Sequence, residues 1–272
     1  MSEKRLIEAA VEDVATRFSN AATSTILYEN KLKHVLEIGR ILQLLPDNGV
    51  LVDVGGGLGV NLMVVRRFNP RARLLLIDRF EEYTDGNRMG SQQTGKSLMA
   101  EHDIQIIETD FWPSLSLELP DSSVDVATSF DVVEHLPGNP LQHFGEIKRV
   151  LKPGGHFFLG APNAASLMKR VKLALGQHPY MYFNDWMAQK YYEHFREYTV
   201  TEYGELLKRS GFEVLNVWPS DAITRARALN CWHHQRHSSL SPHGLALRVA
   251  GIVEAAVPAL RQSVYAVGRK LR

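Results

Sequence analysis

The chain reads as an α/β protein with a doubly wound, mostly parallel sheet, and three observations predict that fold. Between residues 50 and 160, short apolar runs alternate with helical patterns, the order that lays helices on both faces of a parallel sheet. The first run, Val50-Leu-Val-Asp-Val54, leads directly into glycines at Gly55, Gly57 and Gly59. Those glycines allow a sharp turn and a close approach of backbone to ligand. Acids then stand at or just beyond the ends of successive runs, at Asp53, Asp78 and Asp110. The carboxyl ends of the strands are where open α/β sheets bind ligands.

Composition narrows the class. The chain has 272 residues, 44% hydrophobic and 22% charged, which fits a globular protein with one sizeable core and insertions. A formal net charge of +1 offers no bulk electrostatic case for nucleic acid. Cys231 is the single cysteine, so no disulfide framework forms within the chain. Met1-Ser-Glu-Lys-Arg-Leu-Ile-Glu8 has no apolar signal core, and a cytoplasmic location is expected.

The glycine spacing discriminates between cofactors. A dinucleotide fingerprint, G-x-G-x-x-G counted from Gly55, requires glycine at position 60, where Val60 stands. The pattern here is D-x-G-x-G-x-G. An acid two residues before the first glycine adds negative charge where a pyrophosphate would sit. It suits a cofactor with an ammonium group and no phosphate, such as S-adenosylmethionine (SAM). The segment resembles the first motif of class I SAM-dependent methyltransferases.

The following segments extend the resemblance. Arg71-Ala-Arg-Leu-Leu-Leu-Ile-Asp78 is a second strand ending in an acid nineteen residues after Gly59, and the fingerprint logic places a ribose-binding acid roughly 20 residues on. Ile104 to Trp112 is a third strand followed by Asp110. The resemblance implies that an acid there hydrogen-bonds the adenine amino group, with Phe111 and Trp112 placed to stack on the ring. The fourth strand opens at Asp125 and closes at Ser129-Phe130, followed by Asp131-Val-Val-Glu-His-Leu136. That run is similar to one in quinone-biosynthetic and sugar-modifying O-methyltransferases. A helix ends at Leu151, Pro153-Gly154-Gly155 makes a turn, and a fifth strand starts at about His156. The resemblance covers residues 50 to 212. It implies a Rossmann-like seven-stranded sheet with a terminal antiparallel strand, and a cofactor site of Asp53, Gly55, Gly57, Gly59, Asp78, Arg79, Asp110, Phe111 and Phe130.

Around that core, residues 1 to about 45 read as a helical cap, because Leu32, Val35, Leu36, Ile38, Ile41, Leu42 and Leu45 recur near the helical period. Tyr28 is either a pocket or a packing residue. The domain proper is expected over residues 46–272. The polar segment 79–98 is a long loop beside Asp78. Residues 162–198 form a substrate lid, with a basic amphipathic helix Leu167–Leu175 and aromatics Tyr180, Tyr182, Phe183 and Trp186. Thr199-Val-Thr-Glu202 is a capping box opening a helix that Gly211 stops. Strands at Phe212–Trp218 and Ser263–Gly268 bracket a helical insertion, residues 220–260. Its segment Leu245–Leu260 is too short and too charged to span a bilayer. It packs on the core, on a partner subunit as in a homodimer, or on a membrane surface. The His-rich stretch from Trp232 to His243 matches no standard zinc spacing.

Two groups of residues carry candidate chemistry. Methyl transfer from SAM is an in-line displacement that needs alignment and exclusion of water. A hydroxyl acceptor must also lose its proton, to a base or with help from a cation. Asp131, Glu134 and His135 follow the fourth strand, and the resemblance implies Mg²⁺ held there by acids and a histidine. His135 serves equally as a base, and the same residues also serve as helix-start and capping groups. His194, Arg196 and Tyr198 alternate in an extended segment and fall on one side. With Trp186 they suit a sugar, a carboxylate or a phosphate, or form a hydrogen-bonded hub beneath the lid. The expected function is methyl transfer from SAM to a hydroxyl of a sugar or glycan-linked small molecule. The alternatives are a phenolic, quinone or lipid-like acceptor, and a non-catalytic SAM-binding partner subunit.

Overall fold

The computed structural model describes residues 2–80, 90–111, 115–179, 187, 194–233 and 242–271. Seven strands form one sheet: β1 (Val50–Val54), β2 (Arg73–Asp78), β3 (Ile104–Glu108), β4 (Val124–Phe130), β5 (Leu151–Pro162), β6 (Phe212–Ser220) and β7 (Ser263–Lys270). Their order is β3-β2-β1-β4-β5-β7-β6. β7 runs antiparallel between β5 and β6, and the other pairings are parallel. The last strand therefore inserts into the sheet and leaves β6 at the edge.

Alternating residues in each strand feed two cores. Leu51, Leu74, Leu76, Val126, Phe158 and Tyr265 face one. Val52, Leu75, Ile77, Ala127, Phe157 and Ala266 face the other. Burial on both faces explains why the strands read as continuous apolar runs. On the first face lie α1 (Glu3–Thr16), α3 (Lys31–Leu44) and α4 (Val60–Phe68), with α2 (Asn20–Ser24) and a π-helical turn, Thr25–Asn30, linking α1 to α3. The N-terminal helical region is thus built of several helices. α5 (Gln92–Glu101) starts inside the segment expected as a loop, with Ser91 as its cap, and residues 81–89 lie outside the described residues. The second face is covered by α6 (Leu141–Val150), through Phe144, Ile147 and Val150, and by α8 (Val200–Arg209), through Tyr203 and Leu207. The expected capping box at Thr199 and Glu202 is present.

Boundaries differ from expectation most clearly in β5 and in the 220–260 insertion. β5 already begins at Leu151, and its pairing with β4 jumps from Val124–Leu151 to Val126–His156. Lys152 to Gly155 therefore bulge out of a strand instead of preceding one. The helix expected over residues 245–260 runs as α10 (Pro242–Ala256) and gives way to a short 3₁₀ turn at Pro258–Leu260, since proline cannot continue the ladder. The rest of the insertion, α9 (Ala222–His233), packs against α10, α3 and the π-helical turn. No helix among the described residues is long and apolar enough to cross a membrane. In the 162–198 segment α7 (Leu167–Ala174) is described, while Trp186 and the neighbouring Tyr180, Tyr182 and Phe183 lie outside the described residues, as does Trp112.

Phe158 holds the first core together. Its ring stands 5.0 Å from Phe130, 5.8 Å from Trp218 and 5.7 Å from Tyr265. Truncating so buried an aromatic removes transfer energy and leaves a cavity. Phe158→Ala is expected to lower the unfolding free energy in urea by about 3–5 kcal/mol; a loss below about 1 kcal/mol would show that the cluster adds little beyond filling space.

Candidate active site

The glycine turn after β1 is held by carboxylates. Asp78, at the end of β2, accepts hydrogen bonds from Gly57 N (2.8 Å) and Phe80 N (2.7 Å). Asp53 is buried beneath the turn and accepts from Thr128 Oγ1 on β4 at 2.6 Å. The fit above it is tight: a Cβ on Gly56 would stand 2.5 Å from Asp53 Oδ2. Gly55 has a φ of +75°, and its added Cβ would collide with Val132, so side chains are excluded there on two counts. Burial pushes the Asp53 carboxyl up to about 6, opposed by the Thr128 bond and reinforced by Asp78. Burial also raises Asp78, against backbone hydrogen bonds from Phe80, Gly57 and Arg79. Both acids gain from a cation brought into the pocket.

A second group, absent from the sequence expectations, lies on α3. Lys33 forms an ion pair with Asp131 and lies 3.8 Å from Glu37. Glu37 accepts from Asn61 Nδ2 (2.9 Å) and Tyr265 OH (3.0 Å), and Asn61 Oδ1 meets His34 Nδ1 at 2.8 Å. Burial works against the Lys33 charge, but Asp131 and Glu37 outweigh it and raise its pKa. Burial raises Glu37 to about 7 despite Lys33, and lowers His34 to about 4. In the sequence Lys33 and Glu37 resemble an ordinary solvated i,i+4 pair. Their only signal was proximity to the apolar positions Ile38 and Ile41, which are fully buried.

The residues after β4 separate into two directions. Asp131, at φ +54°, turns towards Lys33. Glu134 and His135 occupy the 3₁₀ turn Val133–His135 and meet His194 from the 162–198 segment. One donor atom from each of Glu134, His135 and His194 lies within 4.8 Å of the others. The two imidazoles pack edge to face at 4.7 Å. Glu134 is fully buried, with neither carboxylate oxygen hydrogen-bonded, and burial followed by Asp131 pushes its pKa well up. Its backbone carbonyl accepts from Phe195 N at 2.8 Å, which ties the two segments together. His194 Nδ1 stands 2.8 Å from Glu197 Oε1, and Glu197, itself buried, pairs with Lys169.

The other expected residues disperse. Arg196 is exposed, pairs with Glu202 at 2.8 Å and lies over the Tyr198 ring at 5.0 Å. Tyr198 is buried and packs against Tyr203. These two thus join each other but not His194. Phe130 packs on Phe158 and Tyr265. Asp110 is exposed beyond β3, and the Phe111 carbonyl accepts from His143 Nε2.

Sheet order, glycine turn and strand-end acids together define the fold of a class I SAM-dependent methyltransferase. Residues 28–217 match the family described as "Methyltransferase domain", and the chain belongs to that family. It is 39% identical over 98 residues to a probable S-adenosylmethionine-dependent methyltransferase of Mycolicibacterium smegmatis, covering 36% of this chain and 32% of that one. It is 28% identical over 178 residues to the malonyl-[acyl-carrier protein] O-methyltransferase of Marinomonas sp., covering 64% and 61%. The chain thus spans roughly a third to three fifths of the curated relatives it matches. A chain from the complex between the Haloferax volcanii Trm112 methyltransferase activator and a methyltransferase superposes with a TM-score of 0.60 at 17% identity, covering 96% and 98%. At that identity the likeness shows the fold alone.

The α3 network sets a pH dependence. With Glu37 raised from 4.5 to about 7, the folded state holds its proton more tightly than the unfolded chain does. Its contribution to stability is complete below the ordinary carboxyl pKa and is lost as pH rises through about 7. Gln mimics the protonated form, so Glu37→Gln is expected to lose less melting temperature than the parent between about pH 5 and about pH 8. Equal losses would remove Glu37 as the source.

Proposed function

We propose that this chain is a SAM-dependent O-methyltransferase acting on a hydroxyl of a sugar or glycan-linked small molecule. One observation carries the reading: a glycine turn backed by two buried acids opens at the same sheet end as the Glu134–His135–His194 cluster. The positive sulfonium and ammonium groups of SAM satisfy Asp53 and Asp78 electrostatically, and Asp78 supplies acceptors for ribose hydroxyls. Gly55, Gly57 and Gly59 admit the backbone to the cofactor. Arg79, Asp110, Phe111 and Phe130 belong to its ribose, adenine and methionine surroundings on the family pattern.

In the transfer step the acceptor oxygen attacks the methyl carbon, the carbon–sulfur bond breaks and sulfur keeps the electron pair. The hydroxyl proton leaves towards the Glu134–His135–His194 cluster. Asp131, fixed by Lys33, keeps a carboxylate at the rim. The exposed guanidinium of Arg196, which lies over the Tyr198 ring, provides a polar contact for sugar hydroxyls. Magnesium prefers oxygen donors. The assembled cluster carries two imidazoles while Asp131 is engaged elsewhere, so no step is routed through magnesium. A phenolic, quinone or lipid-like acceptor is the second reading. It is favoured by exposed apolar side chains, Leu245, Val249 and Ile252 on α10, Leu173 on α7 and Leu175 just beyond it. The same exposed side chains would serve a second subunit or a membrane surface.

Calorimetric titration with S-adenosylhomocysteine tests the cofactor. One saturable site per chain is expected, and Asp78→Ala should weaken it about 10- to 100-fold through lost charge-assisted hydrogen bonds. Unchanged affinity in a folded variant would sink the ribose role. His135→Ala should keep that affinity yet lose at least about 100-fold in turnover of labelled SAM on acceptor sugars. Full activity would place the chemistry elsewhere.

A further inference from the structure

We infer that Glu134, His135 and His194 form a two-histidine, one-carboxylate site for a divalent transition metal of the zinc, cobalt or iron(II) kind rather than for magnesium. Geometry comes first. Donors from two separate segments, the 3₁₀ turn after β4 and the stretch before α8, stand within 4.8 Å of one another. Ligands bound at about 2.0–2.2 Å from one ion lie at most about 4.4 Å apart, so only a small contraction closes the set.

The carboxylate supplies the second observation. Glu134 is fully buried and neither oxygen has a hydrogen-bond partner. Buried polar atoms in folded proteins nearly always find one, and a bound cation is a chemically sufficient partner. The third observation is the support behind His194. Its Nδ1 faces the buried Glu197 at 2.8 Å, and Glu197 is held in turn by Lys169. A carboxylate on one imidazole nitrogen fixes the N–H there and leaves the lone pair on Nε2. Metal-ligating histidines are characteristically oriented in this way.

Donor chemistry selects the ion. Two imidazoles and one carboxylate match borderline transition metals. Magnesium demands a near-octahedral oxygen set and gives up water reluctantly. Asp131, which would have enriched the site in oxygen, is paired with Lys33. With three protein ligands the ion keeps open positions, as catalytic sites do. An acceptor hydroxyl bound there would be acidified enough to lose its proton to solvent, and the three ligands would then hold the ion instead of serving as the base. That catalytic use rests on the proposed methyl transfer, whereas metal binding does not.

The test uses the whole chain, stripped with EDTA, with no SAM or acceptor present. Co²⁺ is titrated by calorimetry and visible absorption, followed by Zn²⁺ and Mg²⁺ in competition. The expected result is one Co²⁺ per chain with visible ligand-field bands, displaced by Zn²⁺ and unmoved by a large excess of Mg²⁺. Glu134→Gln and His194→Ala should abolish the bands. Glu197→Gln, which touches no metal, should weaken binding about 10- to 100-fold. Arg196→Ala should leave it unchanged. The inference is overturned if folded protein takes up no Co²⁺, if Mg²⁺ displaces it, or if Glu134→Gln and His194→Ala retain full affinity. Failure here would leave S-adenosylhomocysteine binding untouched, so the two readings fall separately.

Discussion

The site depends on carboxylates that close the glycine turn from beneath. Asp78 ties Gly57 to the end of β2, and Asp53 ties β1 to Thr128 on β4. Three strand ends are thereby locked to one loop. Burial makes those acids expensive to ionise, and both are held above their ordinary pKa range. The frame is therefore stabilised by whatever positive charge enters it. The same pair of residues thus closes the turn and sets its demand for positive charge.

A similar logic governs the cap. α3 lays Lys33 and Glu37 into an interior where neither would be stable alone. Their mutual pairing, with Asp131, Asn61 and Tyr265, joins the N-terminal helices to β4, α4 and β7. This network also decides where Asp131 points. Once Lys33 holds that carboxylate, Glu134 and His135 are left to meet His194.

The pairing of His194 with Glu197 and of Glu197 with Lys169 gives the segment before α8 a defined posture against β4. The Phe195 N–H to Glu134 carbonyl bond adds a backbone tie. Arg196 and Tyr198, on the same extended stretch, face elsewhere because Tyr198 is drawn into the second core beside Tyr203 and Arg196 towards Glu202. Burial of Tyr198 and ion pairing of Arg196 thus split the expected trio.

The sequence by itself determined the strands, the glycine turn and the strand-end acids Asp53, Asp78 and Asp110, because these are local signals: apolar runs, positive-φ glycines and residues one or two places from a strand end. It also determined the capping box at Thr199 and the stop at Gly211. It misjudged the Pro153–Gly155 turn, since a bulge is defined by the partner strand and not by the bulging residues. Only the tertiary structure decided that β7 inserts between β5 and β6, that Lys33 sits 98 residues from its partner Asp131, and that His194 joins Glu134. Those contacts join residues far apart in the chain and leave no periodicity behind. A buried ion pair at i,i+4 spacing looks the same in sequence as a solvated one, and only the packing around it distinguishes the two.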